Sequence, residues 1–216
     1  MPTHEDGALE LRDVSLSIKG AQLFSPLSIA VHSGHATTVM GPSGCGKSSL
    51  LAHICGTLEP VFETRGEVRL SGTDITPLPP EERHVGILFQ DDLLFPHLSV
   101  GDNLAFGLPP EIRGRDQRRK QIEDALTDAD LGGMSDRDPA TLSGGQRARV
   151  ALMRTILSGP RALLLDEPFS KLDADLRARV RESVFAHARA NAIPTLLVTH
   201  DPADAAAAGG TVVELI

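Results

Sequence analysis

The sequence predicts an α/β fold: a core of mostly parallel sheet, with an N-terminal antiparallel β-subdomain and an inserted α-helical subdomain. Three observations carry this reading. Residues 9–18 and 27–31 alternate apolar with polar, the pattern of antiparallel strands with one wet face. Residues 162–165 (ALLL) and 195–199 (TLLVT) are short and almost wholly apolar, as in parallel strands buried on both sides. Between them in the chain, Pro96, Pro109, Pro110 and Pro139 break residues 91–141 into short helical pieces.

The remaining elements follow in order. Residues 36–40 (ATTVM) form a β-branched strand that runs into a glycine loop, and residues 47–56 read as a helix ending at Gly56. Residues 66–70 (GEVRL) make a strand, Ser71 to Asp74 a turn, and residues 84–89 another apolar strand. Within 91–141, Arg113, Arg115, Arg118, Arg119 and Lys120 form a basic run, read as a solvated helix face. Residues 144–158 are helical and stop at Gly159-Pro160. Residues 174–190 place Leu176, Val180 and Val184 on one helix face. Asp201-Pro202 opens a helix as N-cap and first-turn proline, Gly209-Gly210 closes it, and residues 211–216 form a last strand. The expected organisation is one domain over 1–216. Residues 1–90 and 142–216 supply the α/β core, and 91–141 the insertion.

Composition narrows the partners. The chain has 216 residues, 41% of them hydrophobic and 23% charged, an ordinary globular mixture. No stretch approaches the roughly 18 apolar residues that cross a bilayer. The N-terminus, MPTHEDGALE, is acidic and polar, unlike a secretory signal. Acids outnumber bases 29 to 21, for a net charge of −8, the reverse of a general nucleic-acid binder. Only four residues are Lys, so a functional lysine stands out. With no Trp and no Tyr, stacking of bases on an aromatic platform is not expected. Cys45 and Cys55 lie ten apart, without a zinc pattern. His4, His32, His35, His53, His84, His97 and His187 show no ligand spacing.

The chemistry is concentrated in Gly41-Pro42-Ser43-Gly44-Cys45-Gly46-Lys47-Ser48, which fits G-x-x-x-x-G-K-[ST] in full. It follows a strand and opens a helix, the context the P-loop requires. The glycines let the backbone wrap around phosphate, and the helix N-terminus points its N–H groups at the anion. Lys47 supplies a point charge to the β- and γ-phosphates, and the Ser48 hydroxyl suits Mg²⁺, with Ser49 beside it. Cys45, at a helix N-terminus beside Lys47, is expected to serve mainly in packing the loop. Asp166 ends the apolar strand ALLL, where a carboxylate holds Mg²⁺ in P-loop proteins. Glu167 follows and points the other way, where a carboxylate can activate the attacking water. These features fit an ATPase or a GTPase. Leu142-Ser143-Gly144-Gly145-Gln146 then opens a second helix, making a second anion-ready N-terminus. One chain has no need of two such sites, whereas a dimer that sandwiches nucleotide between them has.

On these motifs the sequence resembles the ATP-binding subunit of an ABC transporter, over nearly its whole length and in family order. Residues 41–48 match the Walker A loop, Gln90 the Q-loop, 142–146 the LSGGQ signature and 162–166 Walker B. Glu167 matches the family's catalytic glutamate, Ser170-Lys171-Leu172-Asp173 its D-loop and His200 its switch histidine. The resemblance implies ATP and Mg²⁺ as ligands. It implies roles in catalysis for Lys47, Gln90, Glu167 and His200, and in holding Mg²⁺ for Ser48, Gln90 and Asp166. It further implies a homodimer on ATP binding, each nucleotide meeting Ser143, Gly144, Gly145, Gln146 and Asp173 of the other chain. The implied partners are integral membrane permease subunits and a separate solute-binding protein, without nucleic acid. The implied location is peripheral, at the cytoplasmic face of the bacterial inner membrane.

The stretch from Phe89 to Val100 resembles that of single-domain subunits importing ions, polyamines or thiamine. An exporter ATPase of similar size, a soluble ABC ATPase on ribosomes or DNA, and a non-hydrolysing regulatory module are the rivals. The sequence stops at Ile216, without the regulatory domain many importer ATPases add, so cargo sensing in this subunit is not expected. Two departures stand out. Near Ile18-Lys19 the family's adenine-stacking aromatic is missing, which leaves Phe24 or an aliphatic surface for the base. In the D-loop, Lys171 replaces a small residue.

Overall fold

The computed structural model describes residues 8–216. The acidic N-terminal stretch and His4 lie outside the described residues. In chain order the strands and helices are β1 (Leu9–Ile18), β2 (Ala21–Gln22), β3 (Leu27–Val31), β4 (Ala36–Met40), α1 (Lys47–Cys55), β5 (Phe62–Leu70), β6 (Thr73–Asp74), β7 (Val85–Leu88), α2 (Val100–Gly107), α3 (Arg115–Asp128), α4 (Gly144–Leu157), β8 (Ala162–Asp166), α5 (Ala174–Ala190), β9 (Thr195–Val198), α6 (Pro202–Ala208) and β10 (Thr211–Glu214). They fall into two compact units.

The first unit comprises the chain through Ile87, Arg161–Glu167 and Val184–Ile216. It holds two sheets. In one, β1 pairs antiparallel with β2, β3 and β5, and β6 extends β5. The alternation of residues 9–18 is seen in the burial of Leu9, Leu11, Val14 and Leu16, each 2% exposed or less. The strand expected at 66–70 begins earlier, at Phe62. After Phe62 the residues to Arg65 are polar and exposed, and Gly66 falls where the register shifts, so no alternation marks them. A Cβ at Gly66 would stand 2.5 Å from the carbonyl oxygens of Arg12 and Asp13, which is why the two backbones can cross there.

The second sheet has the order β10-β4-β9-β8-β7. Its β10–β4, β4–β9 and β9–β8 pairs are parallel. Every residue of β8 and β9 is buried, as their unbroken apolar runs predict for strands covered on both faces. Leu50, Leu51 and Ile54 of α1 pack with Val39, Leu164, Leu196 and Val198 into one core. Arg83 is buried, 6% exposed. It donates to the carbonyls of His53 and Ile54, at the end of α1, and to those of Leu78 and Thr76. A cation there complements the helix C-terminus.

The second unit comprises Leu88–Pro160 and Pro168–Ser183. The insertion drawn at 91–141 lies inside it, and α4 packs with α2 and α3. Asn103 on α2 is buried. Its side-chain amide donates to the carbonyls of Phe95, Leu98 and Ser99 and accepts from the Phe95 N–H, pinning the segment before the helix. Arg113, Arg115, Arg119 and Lys120 are exposed, as a solvated face predicts. Arg118 departs from that reading: it is half-buried and donates to the carbonyls of Ile112 and Ala105, tying α3 to α2. On α4, Arg149 is buried and donates to the carbonyls of Ala129 and Asp130 just past α3.

Candidate functional site

In the first unit, β4, β9 and β8 are neighbours and end together at their carboxyl ends, the edge where parallel sheets bind ligands. The three chain segments leaving that edge carry Gly41–Ser48, Thr199–His200 and Asp166–Glu167.

The loop 41–46 delivers α1. Gly46 is its N-cap, with φ of 97°, a left-handed conformation natural to glycine. A Cβ there would also meet Leu23 and Phe24 at 3.2 Å. No side chain caps this N-terminus, so its first-turn N–H groups face outward, ready for an anion. Lys47 Nζ donates to the carbonyls of Gly41 and Pro42, 2.8 Å from each, and so crosses the mouth of the loop. Pro42, Ser43 and Gly44 are exposed, while Cys45 and Ser49 are half-buried. Cys45 Sγ would stand 2.9 Å from a Cβ at Gly41, so the thiol packs within the loop.

Asp166, only 6% exposed, hydrogen-bonds the Ser48 hydroxyl. Burial pushes its carboxyl pKa above the usual carboxylate range; the Ser48 bond and Lys47 oppose that, and Glu167 adds to it. A carboxylate costly to keep ionised, beside a hydroxyl at a helix N-terminus, is a donor set suited to a hard cation. Among the described residues no cluster of three or more His, Cys, Asp or Glu can hold a metal alone. Mg²⁺ takes one or two protein oxygens and completes its shell from phosphates and water.

Glu167 has φ of 47°, so the strand ends in a sharp turn, and its N–H donates to the Val198 carbonyl. Its Oε1 lies 2.9 Å from His200 Nδ1. The imidazole is held by the turn into α6. Asp201 caps that helix by accepting from the Ala203 N–H, and donates its own N–H to Thr199 Oγ1. A carboxylate and an imidazole at hydrogen-bond distance can move a proton or orient water.

In the second unit, Ser143 caps α4. Its hydroxyl accepts from the Gln146 N–H and its N–H donates to Gln146 Oε1, a capping box. The first-turn N–H groups left over are those of Gly144 and Gly145. Gln90 is exposed just after β7. Asp173 accepts from the Leu176 N–H and thereby serves as the N-cap of α5, a structural duty the motif did not announce.

Phe24 is 2% exposed and belongs to the core beneath Gly46. It is therefore not available to stack on adenine, which leaves the aliphatic alternative.

Residues 24–170 match the family model described as ABC transporter. The chain is 49% identical to the ABC transporter ATP-binding protein YnjD of Escherichia coli K12, over 90% of its length and 89% of that relative's. The chain belongs to the ABC transporter family, as one of its ATP-binding, ATP-hydrolysing subunits. It is 36% identical to the Fe(3+) ions import ATP-binding protein FbpC of Mannheimia succiniciproducens, and 39% identical to the spermidine/putrescine import ATP-binding protein PotA of Oleidesulfovibrio alaskensis. It covers 99% and 97% of itself but 60% and 55% of those two ABC subunits, so it spans little more than half their length. Among solved structures, it superposes on the ABC cassette MJ0796, a dimer in a post-hydrolysis state bound to ADP and Pi. The TM-score there is 0.84 at 27% identity, covering 96% of this chain and 94% of that one. No helix of the described residues is long and apolar enough to cross a membrane.

Proposed function

We propose that this ABC subunit powers a solute importer as a homodimer that closes on two ATP molecules. The observation that carries the dimer is the pair of anion-ready helix N-termini in one chain, at α1 after the P-loop and at α4 after Ser143. Each nucleotide would lie between the α1 N-terminus of one subunit and Ser143, Gly144, Gly145, Gln146 and Asp173 of its partner. The dimeric state of MJ0796 supports this. Import is favoured by the names of the relatives FbpC and PotA and by the Phe89–Val100 stretch.

Lys47 would exchange its two carbonyl partners for phosphate oxygens, and Gly41 to Gly46 would wrap the chain around them. Ser48 and Asp166, with Gln90 joining them, would hold Mg²⁺, which supplies charge neutralisation along the triphosphate. Glu167 would accept a proton from the attacking water, and His200, paired to Glu167, would orient the γ-phosphate. Hydrolysis removes the group that bridges the subunits and lets the dimer open.

The helical unit would carry that motion to an integral membrane permease. It exposes Leu93 (59%) and Phe106 (69%), with Phe106 braced edge-on against Phe95 at 4.7 Å. The complex would sit peripherally at the cytoplasmic face of the inner membrane and receive cargo from a separate solute-binding protein. The test is affinity purification of the tagged chain from detergent-solubilised membranes, with companions identified by mass spectrometry. A permease should co-purify, and Phe106→Ser should reduce its recovery while leaving ATP binding intact. A chain recovered alone or with ribosomes would overturn the transport reading.

Loss of the stacking aromatic has its own consequence. GTP and CTP should bind within about 1–2 kcal/mol of ATP, the order of one missing stacking contact. Competition binding that shows a much stronger preference for ATP would contradict this.

A further inference from the structure

In the second unit one carboxylate joins three segments of the proposed machinery. Asp92 stands two residues after Gln90, with its side chain 12% exposed. Its Oδ2 lies 3.4 Å from Arg147 Nε, on the first turn of α4 directly after the signature. Its Oδ1 lies 3.3 Å from Lys171 Nζ, in the D-loop. The triangle is closed on its third side by the close approach of Gly145: a Cβ there would stand 3.2 Å from the Lys171 carbonyl oxygen and 3.4 Å from the Leu172 side chain. Arg147 also donates to the Leu142 carbonyl, so it grips the start of the signature as well as Asp92. Arg154, further along α4, holds the backbone at Leu93 and, more loosely, at Asp92, and lies over the Phe95 ring. Lys171 is the D-loop residue that departs from the family's small one, and Asp92 gives it an intramolecular partner.

An isolated exposed ion pair adds little. Here a mostly buried carboxylate faces two cations from two segments, and removal of the anion leaves both cations facing each other across its place. We infer that Asp92 is a positioning residue. It fixes the signature and the D-loop, the two segments offered to the partner's nucleotide, relative to the segment after Gln90. This rests on the dimer reading above. A push on the 91–95 segment would thus reach Ser143 and Asp173 through charge, and the P-loop, in the other unit, would be untouched.

The first measurement needs no hydrolysis. In the nucleotide-free chain, Asp92→Asn should speed hydrogen exchange in residues 143–147 and 170–173 together, by about fivefold or more for a coupled polar network. Exchange should stay unchanged in residues 41–49. Unchanged exchange in both segments would overturn the inference whatever the chain's activity.

The second measurement is steady-state ATPase activity. Asp92→Asn should lower kcat about fivefold to tenfold with KM for ATP within about twofold, since the interaction acts in the closed dimer and not in binding to the P-loop. Lys171→Gln should lose activity in the same direction, the double variant should be no worse than Asp92→Asn, and Asp92→Glu should recover most of it. A proportional rise in KM, or losses that add, would also overturn it. If Asp92→Asn fails to fold, Lys171→Gln carries the same two tests. A wild-type chain that neither hydrolyses ATP nor dimerises would sink the dimer reading instead, while the exchange result still decides for or against Asp92 as the tie between the segments.

Discussion

Glu167→Gln should bind ATP, accumulate as a closed dimer and release phosphate about a hundredfold or more slowly, the usual scale for loss of a positioned general base. The argument is geometric. Glu167 emerges from the buried end of β8 in a left-handed turn, and its N–H is tied to Val198, so the backbone fixes where the side chain starts. His200 Nδ1 holds Oε1 at 2.9 Å. Glutamine keeps the shape and an oxygen for that bond, but an amide takes no proton at neutral pH. Binding and chemistry should therefore separate: the P-loop is intact, the γ-phosphate stays, and the subunits have no trigger to part. Size-exclusion chromatography with ATP and a single-turnover phosphate-release assay read the two halves. Turnover at the wild-type rate would remove Glu167 as the base. His200→Ala should be slow through the other partner of the same pair, but without the trapped dimer to the same degree, because it also removes a contact proposed for the γ-phosphate.

Much of this was legible in the sequence because the relevant signals are local. The P-loop needs glycines at fixed offsets beside a strand and a helix. The apolar runs 162–165 and 195–199 can be covered only on both faces, and β8 and β9 are wholly buried. The Asp201-Pro202 start of α6 and the Gly56 end of α1 are backbone rules written in single residues. What stayed hidden depends on contacts between distant positions. Arg83 looks like any surface arginine until α1 ends above it. Asp92, Arg147 and Lys171 lie up to 79 residues apart, and no spacing rule joins them. Phe24 reads as a spare aromatic until its packing under Gly46 is known. Asp173 reads as a dimer contact, and only the start of α5 reveals its second duty as a cap.

Lys47→Ala should lose ATP affinity by about 30- to 100-fold, the scale of charge-assisted hydrogen bonds to a phosphate, roughly 2–3 kcal/mol. The ammonium is one of only four lysine charges in a chain of net charge −8, so no surplus of basic groups is at hand to replace it. Its Nζ bonds the carbonyls of Gly41 and Pro42, a brace across the mouth of the loop. Alanine removes both the charge and that brace, and the two effects can be told apart. Loss of the brace alone would loosen the loop and lower thermal stability without a preference among anions. Loss of the charge should weaken ATP more than ADP, because Lys47 is proposed to serve the γ-phosphate as well as the β. Calorimetric titration of both nucleotides, beside thermal unfolding of the nucleotide-free chain, separates the two. Lys47→Arg should not restore binding, since a planar fork does not fill the place of a compact point charge spanning two carbonyls. ATP affinity close to wild type in Lys47→Ala would mean that the α1 N-terminus alone holds the phosphates and would remove Lys47 from the site. The trapped dimer of Glu167→Gln should vanish when Lys47→Ala is added, because without bound ATP there is nothing for the second subunit's Ser143 and Gly144 to close on.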